Sequence, residues 1–371
     1  MTEIPEITIP SSLLPADGRF GSGPGRVQTT FVDDLAATGT SYMGTSHRRP
    51  AVRDVVAEIQ SGLVEMYDLP DGYEIVLGVG GATAFWDAAT FGLIARRSAH
   101  FVCGEFSRKF ADAAAKTPHL DDPIVVAAEY GGAPEPEEVP GVDTASFIHN
   151  ETSTGVLAPF ARLGSALVAI DGTSAAGAIA YDVEAADAYY FSPQKALGSE
   201  GGLWIVMLSP LAVDRIESIA ASDRWIPPSL SLKTALDNAR LHQTYNTPAL
   251  TTLYLLARQI RFVNTMGGIE WADGTTRRSS AHLYRWAESS TFAQPFVVNA
   301  ALRSPTVATI DFVSGTPADR VSSVLRSNGI VDTEPYRKLG RNQLRIATFP
   351  NIDLEDVEAL TASIDYVVQR L

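Results

Sequence analysis

Between residues 74 and 208, short apolar runs alternate with segments of helical spacing, and this alternation constrains the possible fold more than any other feature. The runs that predict buried strands are 74–79, 100–103, 124–128, 144–149, 166–170, 188–191 and 203–208. Helical patterns at 83–93 and 107–116 separate the first of them. Strands that alternate with helices favour an α/β fold whose mainly parallel sheet is covered on both faces. Since such sheets bind ligands at the carboxyl ends of their strands, the residues that follow each strand are candidates for a functional site.

The pattern changes near residue 267, which predicts two domains. Residues 1–25 show no regular pattern and are typical of an irregular arm. A large domain is expected over 26–267, and its last helix follows Thr247-Pro248 and ends at the pair Gly267-Gly268. Residues 268–371 predict a smaller α+β domain. Its expected strands and helices are 307–313, 318–328, 343–347 and 354–371.

Charge and cysteine content limit the possible partners. The chain carries 29 basic and 43 acidic residues, a net charge of −14. A field of this sign repels nucleic acid and anionic membranes, so local arginine or lysine would have to bind any anionic substrate. The single cysteine, Cys103, can form neither an intrachain disulfide nor a zinc motif. Residues 1–15 lack a signal-peptide core, and no apolar stretch approaches the roughly 20 residues of a membrane span. We therefore expect a cytoplasmic protein without a metal.

Three candidate site features follow predicted strands. The turn 80–83 opens a helix, and its small residues and free N–H groups suit a phosphate, although a purely structural turn would look the same. It does not match the G-x-G-x-x-G dinucleotide motif. Asp171 closes the strand 166–170, where it could face a ligand or cap the next turn. Lys195 lies between an apolar strand and the pair Gly201-Gly202, an unusual position because lysine normally seeks solvent. Taken alone, a solvated Lys195 would be the commoner explanation.

Together these features match the requirements of pyridoxal 5′-phosphate (PLP). That cofactor needs a lysine amine, an acidic partner for its pyridinium nitrogen and a binding site for its phosphate. The acid keeps the ring nitrogen protonated, so that the ring can accept carbanion charge. The chain has the phosphate turn, Asp171 and Lys195 in that order, each at a predicted strand end. The sequence therefore predicts a PLP enzyme.

Longer segments make a resemblance to a known family specific. They are FGSGP (20–24), GTSHR (44–48), GGATAFWD (80–87), GEFS (104–107), HNETSTG (149–155), AIDGTS (169–174), SPQK (192–195), QTYNTP (243–248) and 330–345. With them the chain resembles fold-type I PLP enzymes of the class V aminotransferase group. Among these it is most similar to the phosphoserine aminotransferases of the form found in actinobacteria.

The resemblance implies roles for residues around the cofactor ring. Lys195 would bind the cofactor covalently and later carry a proton as general base. Asp171 would pair with the pyridinium nitrogen, and Thr152 would hydrogen-bond the ring phenol oxygen. Phe106 would stack on the ring, where related enzymes often have tryptophan.

The same resemblance implies a phosphate site that two subunits share. Ala82 and Thr83 would bind the cofactor phosphate at a helix N-terminus, with Gln194 beside them. Asn246 and Thr247 would reach the cofactor phosphate of the neighbouring subunit. This arrangement implies a homodimer with shared active sites.

Basic residues are the expected substrate contacts. Arg345 would hold the α-carboxylate in bidentate geometry. Ser22, His47 and Arg48 resemble the family's substrate-binding segment, and Arg48 should meet the second acidic group of the substrate. A basic cluster near the C-terminus adds candidates that the sequence leaves unassigned, namely Arg337, Lys338 and Arg341.

The implied reaction is reversible amino transfer between O-phospho-L-serine and 2-oxoglutarate, giving 3-phosphooxypyruvate and L-glutamate in serine biosynthesis. The intermediate 4-phosphohydroxy-threonine of pyridoxine biosynthesis could be a second substrate. Two alternatives stay open: a class V aminotransferase that pairs serine or alanine with glyoxylate or pyruvate, and a non-enzymatic PLP-binding protein. A nucleotide-binding protein that uses the 80–83 turn would leave Lys195 unexplained.

Overall fold

The alternating segments form one seven-stranded sheet with helices on both faces in the computed structural model, which describes residues 6–313 and 315–371. The first five residues of the expected arm lie outside the described residues. The strands are β1 Glu74–Val79, β2 Ser98–Val102, β3 Ile124–Ala127, β4 Thr144–Ile148, β5 Asn150–Glu151, β6 Val156–Leu157, β7 Leu167–Asp171, β8 Ala188–Phe191, β9 Leu203–Leu208, β10 Ala293–Pro295, β11 Val307–Phe312 and β12 Gln343–Ala347. The helices are α1 Thr29–Ala37, α2 Pro50–Tyr67, α3 Ala82–Gly92, α4 Glu105–Lys116, α5 Pro210–Ala220, α6 Leu232–Ala239, α7 Leu250–Met266, α8 Gly268–Ser289, α9 Ala318–Ser327 and α10 Leu354–Val368.

The large sheet is mainly parallel, which confirms the predicted fold class. Its strand order is β1-β9-β8-β7-β4-β2-β3. The strands β8, β7, β4, β2 and β3 run in parallel, and β9 pairs antiparallel with both β8 and β1. The carboxyl ends of β4, β7 and β8 therefore meet at one edge, where Asp171 lies between Ile148 and Tyr190.

Helices cover both faces of this sheet, and the alternation along β1 shows how. Ile75 and Leu77 pack with the apolar faces of α2 and α7 on one side. Val76 packs on the other side with Phe85 and other residues of α3 to α6. Because side chains of a strand alternate between faces, one apolar run supplies both cores. Burial on both sides is why β1 is almost continuously apolar.

A smaller antiparallel sheet, in the order β10-β11-β12, packs against α8, α9 and α10. Its core also contains Ile9 and Phe20 from the N-terminal segment, so the expected arm is packed against this sheet. Helix α8 contacts α2 and α7 as well as β10, β11 and α10. The domain boundary at residue 267 stays a prediction, since α8 joins both parts. No helix in the described ranges is long and apolar enough to cross a bilayer.

The predicted strands of both sheets lie within two residues of their observed bounds, but several helices were not predicted. The clearest case is α8, which begins at Gly268, the second glycine of the pair that follows α7. Its buried positions include Thr276 and Ser279, and Gly274 lies within it. Small polar residues on the buried face hide the apolar period on which a helix prediction depends.

Candidate active site

A cavity of about 500 Å³ opens at the carboxyl ends of β4, β7 and β8, where ligand sites of parallel sheets are expected. We call it the site cavity. Most of the predicted site residues line it: Ser22, Ala82, Thr83, Phe106, Thr152, Asp171, Gln194, Lys195 and Arg345. Its volume suits a cofactor together with a small substrate.

Lys195 lies in the turn that follows β8, and its side chain is buried in this cavity. Its Nζ donates a hydrogen bond to Thr152 Oγ1 at 3.2 Å and lies 5.2 Å from the centre of the Phe106 ring. The pKa of Lys195 is lowered to about 8, mainly by burial; the Asp171 carboxylate opposes this shift, and the Arg345 charge adds to it. The amine can therefore lose its proton close to neutral pH.

Asp171 is the last residue of β7, and its side chain is also buried. Its Oδ1 accepts a hydrogen bond from the Thr173 backbone N–H at 2.9 Å. Burial raises the pKa of Asp171, although the hydrogen bond from the Thr173 backbone N–H and the Lys195 charge act in the opposite direction. A carboxylate in this position favours a positively charged partner in the cavity.

The turn between β1 and α3 presents free backbone donors to the cavity. Gly80 has φ +115°, a conformation that favours glycine, and its N–H donates to Gly202 O at 2.9 Å. Gly81 is the N-cap of α3, and no side chain caps the helix there. The first turn, with Ala82 and Thr83, lines the cavity, so its N–H groups and the helix dipole can bind a phosphate.

Glu151 is a buried residue beside the site cavity that was not among the predicted site residues. Its carboxylate accepts hydrogen bonds from the backbone N–H groups of Phe106 and Ser107 at 3.1 and 3.0 Å. It also accepts from Ser153 Oγ at 2.6 Å. Glu151 thus caps α4 and fixes the position of Phe106 next to Lys195. Its place in the HNETSTG segment was the only available signal.

Arg345, on β12, reaches the site cavity from the smaller sheet. Its Nη1 donates to Thr152 O at 3.3 Å, and its guanidinium lies 5.4 Å from the centre of the Tyr336 ring. Burial lowers the pKa of Arg345. The buried Nε of Arg345 has no hydrogen-bond partner among the described residues, so the guanidinium can still donate hydrogen bonds to an anion. Tyr336 was not predicted as a site residue.

A second cavity, of about 550 Å³, adjoins the first and shares Ser22, Tyr336 and Arg345 with it. We call it the outer cavity. Arg337 and Lys338 line it, and Lys338 forms an ion pair with Glu105. Of the unassigned basic residues, Arg341 lines neither cavity. Its guanidinium pairs with Asp311 instead.

The remaining predicted residues lie elsewhere on the same chain. His47, Arg48, Asn246 and Thr247 do not line the site cavity. They form a largely exposed cluster, in which only His47 is half-buried and in which His47 Nδ1 and Thr247 Oγ1 are 3.2 Å apart. The Arg48 guanidinium donates to Gln243 Oε1 at 2.7 Å. A single chain therefore does not bring these four residues to Lys195.

A larger and more open depression of about 830 Å³ offers less chemistry. Its arginines are already engaged, Arg162 by Asp187 and Arg277 by Asp273. His149 borders it with a pKa that burial lowers to about 3, and its Nδ1 lies 3.0 Å from Tyr189 Oη. This histidine therefore has a structural role.

The donors and acceptors of the site cavity fit PLP. The cavity contains a buried amine, a buried carboxylate and an uncapped helix N-terminus. Thr173 Oγ1 and Asn150 Oδ1 are also buried there without a hydrogen-bond partner among the described residues. Because an unpaired buried polar atom is costly, these atoms indicate that a polar ligand belongs in the cavity.

Comparisons with known proteins agree with this site. Residues 138–333 match the family Aminotransferase class-V. The chain is 55% identical to a phosphoserine aminotransferase of Rhodococcus jostii, over 100% of both chains. Among solved structures, the fold matches a phosphoserine aminotransferase of Cytophaga hutchinsonii with a TM-score of 0.87 at 23% identity, covering 94% of this chain and 99% of the other. A PLP-bound phosphoserine aminotransferase of Trichomonas vaginalis matches with a TM-score of 0.79 at 18% identity, covering 94% and 99%. The chain therefore belongs to the class V aminotransferases and, within them, to the phosphoserine aminotransferase family.

Proposed function

We propose that the protein is a PLP-dependent phosphoserine transaminase that moves an amino group reversibly between O-phospho-L-serine and 2-oxoglutarate. The products are 3-phosphooxypyruvate and L-glutamate, and the reaction belongs to serine biosynthesis. The observation that carries the proposal is the full-length likeness to the Rhodococcus jostii enzyme, together with the buried Lys195 in the site cavity. We also infer a cytoplasmic location, which suits a chain whose single cysteine, Cys103, is buried and free.

The residues that would hold PLP are those whose hydrogen-bonding and charged groups line the site cavity. The first turn of α3, at Ala82 and Thr83, would bind its phosphate, with Gln194 nearby. Asp171 would pair with the ring nitrogen, and Thr152 would hydrogen-bond the ring oxygen. Bound PLP supplies an electron sink that makes the proton on the substrate Cα removable.

Lys195 is then the proton carrier. An amine with a pKa of about 8 is partly neutral at physiological pH, so once it is free of the cofactor it could accept the proton from the substrate Cα and later donate it. Thr152 holds Nζ at 3.2 Å, and the Phe106 ring next to it restricts access of water to the amine. Asp171 would favour a positive charge on the ring nitrogen with which it pairs, and this charge is what makes the ring an electron acceptor.

Substrate recognition would use both cavities. Arg345 would bind the α-carboxylate through the side of its guanidinium that has no partner among the described residues. The phosphate of O-phosphoserine would then extend toward the outer cavity, where Arg337 has no ion pair within the described part of the chain. The side-chain carboxylate of glutamate is the equivalent anion in the second half-reaction.

We infer further that the protein works as a homodimer with shared active sites. The exposed cluster of His47, Arg48, Asn246 and Thr247 carries hydrogen-bonding and cationic groups that its own cavity does not use. In a dimer, Asn246 and Thr247 would complete the phosphate site of the neighbouring subunit. Arg48 would contribute to its substrate site.

A half-reaction titration tests the proposal. The purified PLP-loaded protein is mixed with O-phosphoserine, serine or alanine in the absence of an oxo acid, and the loss of its visible absorbance is followed. We expect conversion at low O-phosphoserine, with serine and alanine far weaker and with Lys195→Ala inactive. Conversion by serine or alanine alone would support the other class V activity and discard the phosphoserine assignment. A protein that PLP cannot reconstitute would overturn the cofactor assignment as well.

A further inference from the structure

Part of the wall of the site cavity is a loop of the N-terminal segment, residues 16–26, which we call the arm loop. Ser22 in this loop lines both cavities. A Cβ placed on Gly23 would lie only 3.1 Å from Lys195 Cε, so the loop touches the lysine side chain. The Gly25 N–H donates to Gln194 O at 2.6 Å. Any movement of the loop would therefore change the shape of the cavity in which the substrate binds and the contacts of the Lys195 side chain.

Both ends of the arm loop are bound by one carboxylate, that of Asp356 in the first turn of α10. Its Oδ1 accepts hydrogen bonds from the backbone N–H groups of Ala16 and Asp17, at 2.7 and 3.3 Å. Its Oδ2 accepts from Arg26 Nη1 at 3.1 Å. The Asp356 side chain is only 5% exposed, so these contacts are shielded from solvent. An ionised carboxylate is suited to this position, because both of its oxygens are acceptors.

We propose that Asp356 is a positioning residue that fixes the arm loop and, through it, the substrate side of the site cavity. The inference rests on the proposed function for its kinetic consequence, whereas the contacts of Asp356 are observed independently of any substrate. In Asp356→Asn the NH₂ group would face either the backbone N–H groups of Ala16 and Asp17 or the Arg26 guanidinium. Because these are all donors, one end of the loop would be released. The backbone hydrogen bonds of Gly18 and Phe20 with Val331 would still hold the middle of the loop. The fold should therefore survive the substitution.

The experiment compares Asp356→Asn with Asp353→Asn in the PLP-loaded and cofactor-free proteins. Asp353 lies at the N-terminus of the same helix and pairs with the same Arg26 at 3.5 Å, whereas the arm-loop backbone N–H groups donate to Asp356. It therefore controls for the helix dipole and for the Arg26 charge. Arg26→Gln releases the other end of the clamp and serves as a second variant if Asp356→Asn fails to fold.

Amide hydrogen exchange reports on the loop without any need for turnover. We expect Gly25 to exchange at least about tenfold faster in Asp356→Asn and in Arg26→Gln than in wild type or Asp353→Asn. In steady-state turnover with 2-oxoglutarate, the KM for O-phosphoserine should rise roughly tenfold while kcat changes less than about threefold, because a misplaced wall weakens substrate binding. A general loss of stability would instead lower kcat with the folded fraction and leave KM unchanged.

Three results would overturn the proposal: unchanged Gly25 exchange, an unchanged KM, or an equal response of Asp353→Asn. Failure of the proposed function would look different. In that case wild-type protein would not convert O-phosphoserine at all, and the exchange comparison between Asp356→Asn and Asp353→Asn would still decide whether the clamp exists.

Discussion

Lys195 and Thr152 are joined directly across the site cavity: Nζ of the lysine donates to Oγ1 of the threonine at 3.2 Å. The backbone carbonyl of Thr152 also accepts from the Arg345 guanidinium at 3.3 Å. Thr152 therefore connects the proposed proton carrier of the large sheet with the proposed carboxylate clamp of the smaller one. Thr152 therefore contributes to the relative position of the proposed base and the substrate.

Replacement of Lys195 by Ala should abolish transamination, because no other lysine of the described chain lines the site cavity. Lys109→Ala is a matched control: Lys109 Nζ lies 5.1 Å from the Phe106 ring centre, but its side chain is 42% exposed and lies outside the cavity. We expect a loss of at least about 10³-fold in kcat for the first variant and less than about twofold for the second. Steady-state kinetics at matched thermal stability makes the comparison. Appreciable turnover by Lys195→Ala would contradict the assignment.

The titration of Lys195 should respond in opposite directions to its two charged neighbours. With a pKa lowered from 10.5 to about 8 by burial, the amine should titrate near pH 8 in the cofactor-free protein. Asp171→Asn should lower this midpoint, because the carboxylate favours the ammonium form. Arg345→Met should raise it, because the guanidinium disfavours that form. NMR of ¹³C-methylated lysine measures the midpoint, and a wild-type value near 10.5 would contradict burial of the amine.

The same pKa shift predicts how the stability of the cofactor-free protein depends on pH. Between about 8 and 10.5 the unfolded chain keeps the Lys195 proton while the folded chain has lost it. Unfolding then binds a proton, so the free energy of unfolding should rise with pH across this range. The difference between wild type and Lys195→Met, from urea unfolding at several pH values, isolates this contribution. If the free energy of unfolding of wild type minus that of Lys195→Met fell with increasing pH, the predicted lowering of the Lys195 pKa would be wrong.

The buried carboxylate of Glu151 should be important for stability. In Glu151→Gln an NH₂ group would face the N–H donors of Phe106 and Ser107, so we expect about 2–3 kcal/mol of destabilisation. Glu105→Gln is the control in the first turn of the same helix. The Glu105 carboxylate forms ion pairs only with the exposed side chains of Lys109 and Lys338 among the described residues. Glu105→Gln should cost less than about 1 kcal/mol. Urea unfolding compares the two, and equal effects would argue against a special role for Glu151.

Arg345→Lys keeps the charge but removes the planar fork that binds a carboxylate on two oxygens. We expect kcat/KM for O-phosphoserine to fall by about 10²-fold, mainly through KM. Arg341→Lys is the matched control, because Arg341 lies outside both cavities and pairs with Asp311. It should change kcat/KM by less than about threefold. If both variants lost activity equally, Arg345 would have no distinct role in substrate binding.

The site residues at the strand ends could be predicted from the apolar pattern of the strands together with the geometry of a parallel sheet. Each apolar strand was recognisable from its pattern, and the carboxyl ends of parallel strands must meet at one edge. The sequence alone could therefore place Asp171 and Lys195 together. Their expected positions at the ends of β7 and β8 match the observed site cavity.

Other parts of the site could not be predicted from local patterns. Tyr336 contributes through its position over Arg345, which depends on how the smaller sheet packs against the large one. Glu151 resembles any acidic residue in sequence, and only its burial shows that it caps α4. Asp356 is separated by 340 residues from Ala16, to which it is hydrogen-bonded. Such long-range contacts leave no periodic signal in the chain.

The exposed cluster of Asn246 and Thr247 provides the test of a shared active site. If Asn246 acts on the neighbouring subunit, a hybrid dimer of one Lys195→Ala chain and one Asn246→Ala chain contains one intact site, with wild-type Lys195 from one chain and wild-type Asn246 from the other. Equal mixing after dissociation and reassociation should then recover about a quarter of the wild-type activity, because half of the dimers are hybrids and each has one working site of two. If Asn246 served its own chain, every hybrid site would keep a defect. Activity no higher than the average of the two parents would therefore exclude a cross-subunit role, and the mixture can be measured in the same half-reaction assay as the parents.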